Sequence, residues 1–179
     1  MNIFYLDTDL AKCAQYHNDK HCVKMILEYA QLLCTAHRIL DGDLVLKTDQ
    51  KGRKVKAYAL PDSEKDNIFY KHTHVNHPCA VWARDSSQNY HLLYKLFIEL
   101  CNEYTHRYGK THLTYSKLSH LLKYPPNNIS DSGLTSPPKC MPDFYKKGNV
   151  IESYRTYYVS DDKKHLLSYS KRPKPFWIK

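Results

Sequence analysis

The sequence predicts a mainly α protein: a compact helical single domain, residues 1–179, with a small β-hairpin or irregular insertion near 41–76. Three observations predict it. Apolar residues recur at helical spacing over residues 10–38 and again over 78–109. Short alternating runs framed by turn residues fall inside 41–76. A chain of 179 residues also buries a substantial core without disulfides or a structural metal.

The opening apolar run, "NIFYL", stops at Asp7-Thr8-Asp9, whose side chains suit the cap of a helix starting at Leu10. Asn18-Asp19 compete with the backbone for hydrogen bonds and divide the first block into a short helix and a longer one from about 20 to 39. Residues 41–66 change character, with Asp-Gly and Lys-Gly turns around "LVLK" and "VKAYAL". Two strands are marginal alone, so this hairpin is expected as an excursion from a helical body. A second block starts near His77-Pro78, breaks at Asp85-Ser86-Ser87 and resumes as the strongest core helix, up to Gly109. A short helix over 114–122 is stopped by Tyr124-Pro125-Pro126, and helices are expected at 149–158 and 163–169. The terminal "KRPKPFWIK" cannot be a continuous helix and is expected to lie extended along the body.

Composition narrows the partners. The formal charge is +9, and residues 141–179 hold nine Lys/Arg against four Asp/Glu, so the C-terminal region is expected to face a polyanion. Sixteen tyrosines add amphipathic faces suited to stacking on bases or packing in partly wet surfaces. The six cysteines contain no Cys-x-x-Cys pair and fall mostly in helical stretches, which fits buried free thiols in a reducing, cytoplasmic setting. No apolar run reaches membrane-spanning length, and no membrane partner is expected. The sequence lacks a glycine-rich phosphate loop, a Gly-x-Ser-x-Gly elbow and a zinc-deaminase signature.

One polar line carries candidate chemistry. His17, His21, Lys24 and Glu28 share a side of the first long helix, amid Val23, Met25, Ile26 and Leu27. Glu28 suits stabilisation of positive charge on a sugar carbon, and His21 suits proton transfer or phosphate contact. Arg84, Tyr90, Arg107, Lys110, Arg155, Lys171, Arg172 and Trp177 are the candidate nucleic-acid contacts, with Lys24 beside the carboxylate; Trp82 is an alternative core anchor. The histidines of "HTHVNH" (His72, His74, His77) have no cysteine partners nearby in sequence, and no metal or cofactor is expected.

The order "DKH…E" in a first long helix, "NYHLLYKLFIELCNEYTHRYG", "MPDFYK", "SYRTYY" and "RPKPFW" resembles the all-helical pyrimidine-dimer DNA glycosylases of the viral endonuclease V type, and an uncharacterised relative of that group in tailed phages. The resemblance spans residues 1–38, 78–112 and 141–178. It implies double-stranded DNA as partner and excision of a damaged or modified pyrimidine. By it Glu28 is the assisting carboxylate, His21 its companion, and the N-terminal α-amine the nucleophile; with bulky Asn2 following, that amine belongs to Met1. The alternatives are a metal-assisted nuclease built on His17, His21, Glu28 and one of His72, His74 or His77, and a noncatalytic viral nucleic-acid-binding accessory protein.

Overall fold

A computed structural model of the chain describes residues 1–48 and 51–179. The described residues form seven α-helices and one two-stranded antiparallel sheet: α1 (Leu10–Gln15), α2 (Asp19–Asp41), β1 (Asp43–Thr48), β2 (Lys54–Ala59), α3 (Ser63–Ile68), α4 (Pro78–Asp85), α5 (Ser87–Tyr108), α6 (Leu113–Leu118) and α7 (Val150–Tyr158). The mainly α class is as the sequence predicts. No helix of the described residues is long and apolar enough to cross a membrane.

The helix boundaries follow from side chains that satisfy the first backbone amides. Asp9 accepts from Ala11 and Lys12, Asn18 from His21, Ser86 from Asn89, and Asn149 from Glu152. Pro78 opens α4 behind a His77 cap, and α5 ends at Gly109, whose φ of 64° lies in the left-handed region that glycine enters freely. Helix α2 is the centre of the packing: α5 lies along it most extensively, α4 packs against both, and α1 packs on α5. Buried between them are Met25, Ile26, Tyr29, Leu32 and Leu33 of α2 with Leu93, Leu96, Phe97 and Leu100 of α5.

The hairpin pairs Asp43 with Ala59 through Thr48 with Lys54. Gly42 is required at its base, because a Cβ there would meet the Arg38 carbonyl oxygen at 2.5 Å. Arg38, buried at the end of α2, ties the excursion down: its guanidinium donates to the Tyr58, Asp66, Phe69 and Tyr70 carbonyls and to the Asp66 carboxylate. Asp66 belongs to α3, a helix with no buried residues that the apolar periodicity does not reveal. Residues 163–169 form only a one-turn 3-10 helix, Lys164–Leu166, in place of the expected α-helix. None of its three residues is buried, and so short an exposed segment gains too little packing to offset helix nucleation.

A buried ionic cluster fastens the C-terminal segment to this body. Arg107, 2% exposed, bonds Glu103 at 2.7 Å and Asp19 at 3.1 Å, and Arg172 bonds Glu103 at 2.9 Å. Burial pushes the Glu103 carboxyl up, but hydrogen bonds from Arg172 and Arg107 outweigh it and hold the group below its ordinary range. Asp19 also accepts from Ser168 and Ser170. Removing one member strands buried charge. Glu103→Ala is therefore expected to cost about 3–5 kcal/mol in denaturant unfolding; a loss below about 1 kcal/mol would show the cluster to be energetically idle.

Candidate functional site

The N-terminal segment enters the protein as extended backbone rather than as a loose tail. Ile3 and Leu6 are fully buried and Phe4 nearly so. Irregular buried backbone needs partners outside a regular ladder, and side chains supply them. Phe4 N–H donates to the Tyr29 hydroxyl, Leu6 N–H to the Cys13 sulfur, and the Leu6 carbonyl accepts from Arg155 Nε at 2.8 Å. At the head of this segment Asn2 Nδ2 donates to the Cys140 carbonyl at 2.8 Å. The Met1 α-amine consequently stands 3.9 Å from Glu28 Oε2, with Lys24 Nζ 3.1 Å from Oε1. Glu28 is 14% exposed in its side chain and Lys24 is 69% exposed.

Around this pair lie groups from three further segments. His77, at the start of α4, is pushed below its ordinary value by burial, the α-ammonium and His74, while Glu28 pulls it up. Cys79 and Cys140 place their sulfurs 3.5 Å apart. Their mutual hydrogen bond holds Cys140 below the ordinary thiol range and Cys79 above it, where burial also pushes Cys79; the α-ammonium and Lys146 also favour the Cys140 thiolate. Lys24 and Lys163 both act on His21, and Lys163 sits 5.3 Å from the centre of the Tyr157 ring. Tyr157 packs on Tyr145, and Tyr145 on exposed Phe144. Lys163, Tyr157, Tyr145 and Phe144 thus form a continuous lysine and aromatic strip.

The expected residues divide. Met1, Glu28 and Lys24 come together. His21 does not join them: it is buried, stacked on Phe4 at 4.4 Å, and its Nδ1 is hydrogen-bonded to the Tyr158 hydroxyl at 2.8 Å. His17 is fully buried between the Cys13 carbonyl and the Tyr29 hydroxyl. A carbonyl only accepts, so His17 carries its proton on Nδ1 and takes the tyrosine proton on Nε2. Both ring nitrogens of His17 are thereby engaged inside the fold, whereas His21 is held through Nδ1 alone.

Tyr90 is fully buried, bonded to His37 and the Leu122 carbonyl, and has no surface for a base. Arg107 likewise spends its donors inside the protein. Arg172 joins it at Glu103, and half-buried Arg84 donates to the Val75 carbonyl at 2.7 Å. Arg155 bonds Asp7 and is ringed by Tyr16, Phe176 and Trp177 at 5.4–5.7 Å. Lys110 and Lys171 are exposed at the far end of α5, near Asp19, which precedes Glu28 by about 14 Å of helix. A cleft of about 500 Å³ runs past Arg155, Tyr5, Leu134 and Glu152, and another of about 540 Å³ lies beneath the hairpin beside Lys47, Lys56 and Lys71. Neither is lined by Met1 or Glu28.

Sequence reasoning passed over His77, Cys79 and Cys140 as a group. Their signal is dispersed: Cys79 and Cys140 are 61 positions apart. Comparisons with protein-family models, with curated proteins and with solved structures give no match to this chain.

The buried imidazoles set an acid limit on the site. Burial pushes His17 and His37 down to about 4 and His21 down to about 3, from an ordinary value of 6.5. The unfolded chain binds these protons first, so stability is fully present above pH 6.5 and is lost as pH falls toward 4 and then 3. At about 1.4 kcal/mol per pKa unit the three together are worth several kcal/mol. The melting temperature is expected to fall already between about pH 6.5 and pH 5, above the range where carboxylates titrate. A flat profile there would contradict the neutral, buried assignment.

Proposed function

We propose that the protein is a DNA base-excision enzyme of the glycosylase/lyase kind, acting on a damaged or modified pyrimidine in duplex DNA. The observation that carries this reading is the 3.9 Å approach of the Met1 α-amine to Glu28, held by a buried N-terminal segment. An amine nucleophile and a carboxylate are the two groups this chemistry needs. The α-ammonium first loses a proton to solvent; the amine lone pair then attacks C1′ of the nucleotide, and the C1′–base bond breaks with its electron pair leaving on the base. Glu28 stabilises the positive charge that develops on the sugar and accepts a proton from the nitrogen once the C1′–N bond has formed. Opening of the sugar ring gives an imine between Met1 and C1′. Loss of the C2′ proton then expels the 3′ phosphate and cleaves the strand.

The surroundings support binding of the substrate. Lys24 offers a phosphate contact beside the reacting pair, Lys163 extends the positive charge, and Phe144 and Tyr145 offer faces to an unstacked base. A lesion lowers the cost of unstacking, which favours damaged sites over intact duplex. The resemblance described above suggests the same substrate class.

End-labelled duplexes bearing pyrimidine dimers, abasic sites or hypermodified pyrimidines separate base release from strand scission. Glu28→Gln is expected to lower turnover about 10²–10⁴-fold with DNA affinity retained, and borohydride is expected to trap an adduct that maps to Met1. Full turnover in Glu28→Gln, or an adduct on a lysine, would remove the assignment. Tight binding with no turnover on any of these duplexes would instead favour a noncatalytic accessory protein.

A further inference from the structure

We propose that His77, Cys79 and Cys140 bind one zinc ion at the edge of the N-terminal segment. One donor atom from each lies within 4.8 Å of the others, the compact arrangement a single ion needs. The two sulfurs are 3.5 Å apart. Thiolates each about 2.3 Å from a tetrahedral zinc stand about 3.8 Å from one another, so coordination requires a separation only slightly larger. A disulfide demands about 2.0 Å and a larger closing movement. Two thiolates and an imidazole favour zinc over the hard cations, which take oxygen ligands.

The three donors come from two places in the chain. His77 and Cys79 flank Pro78 at the beginning of α4, while Cys140 arrives from the segment that leads to α7. The Cys140 carbonyl accepts from Asn2 and its N–H donates to the Tyr154 hydroxyl, so its backbone is positioned from two sides. Three protein ligands leave one tetrahedral position open. The Met1 α-ammonium lies within electrostatic reach of all three donors. Loading has a local cost: His77 Nδ1 accepts the Cys79 amide as the cap of α4, and coordination claims an imidazole lone pair from the same ring. The ion would join the N-terminal segment, α4 and the 140 region into one unit.

This inference does not rest on the base-excision reading, since neither the nucleophile nor Glu28 is a ligand. The test is metal content and cobalt spectroscopy of the full-length protein purified under reductant. Wild type and Glu28→Gln are both expected to retain one zinc per chain after dialysis and to melt several degrees higher with zinc than after chelation. Replacement by Co(II) should give a thiolate-to-metal charge-transfer band and the intense visible bands of a tetrahedral site. Cys140→Ser and His77→Gln should each lower zinc affinity at least tenfold, with folding of both verified by circular dichroism. Cys140 and His77 are only partly buried, which favours folded variants. Substoichiometric zinc in reduced wild type, an unchanged melting temperature on loading, or octahedral cobalt bands would overturn the proposal. So would formation of a Cys79–Cys140 disulfide in air with no zinc retained by the reduced protein.

Discussion

The placement of the N-terminal strand of chain inside the helical body is the constraint on which the site depends. Residues 3–6 lack a neighbouring β-strand, yet Ile3, Phe4 and Leu6 are buried, and leaving their amides and carbonyls unpaired would cost about 1–3 kcal/mol each. Tyr29, Cys13 and Arg155 act as a substitute for that strand, each drawn from a different helix. Tyr29 is in turn held by His17, whose other nitrogen is held by Cys13. The consequence reaches the terminus: with Ile3 and Phe4 locked in, the amine two residues earlier has little freedom to leave Glu28. Helix packing, hydrogen bonding and site geometry are therefore one connected problem here.

Cations divide by type. Arg38, Arg107, Arg155 and Arg172 direct their planar forks at carbonyls and carboxylates within the fold. Arginine suits that work because it offers five fixed donors and is weakly hydrated. The exposed positive charge is carried mainly by lysines such as Lys24, Lys110, Lys146 and Lys171. Lysine acts as a point charge on a flexible stem, well suited to phosphate but poor at reading base edges. If the partner is duplex DNA, affinity should come from the backbone and selectivity from how easily a base leaves the stack.

Much of the fold was legible because its signals are local. The caps at Asp9, Asn18 and Ser86, the break at 85–87 and the two turns of the hairpin each depend on a few adjacent residues, and the structure follows them. Helix α3 escaped because it buries nothing, so no apolar period marks it. The site was legible only where two partners share a helix or a chain end, as with Lys24, Glu28 and Met1. The polar line on α2 proved to have two environments. His17 and His21 turn into the aromatic interior while Lys24 and Glu28 reach its edge, a distinction of roughly one helical turn that spacing alone does not resolve. Tyr90 and Arg107 show the same limit from the other side, since an amphipathic residue reads alike whether its polar end meets a ligand or a buried neighbour.

The hairpin has a consequence for how copies of the protein behave together. A sheet of two strands has no further strand beyond either margin, and this one also displays Leu44, Leu46 and Val55 to water. Such a ribbon is a template for lateral growth. The guard against it is repulsion among Lys47, Lys54 and Lys56 on facing ribbons, which operates over about 8 Å at physiological ionic strength. Concentrated salt or a polyanion weakens that guard, so the conditions that mask the lysines also favour self-association along the ribbon.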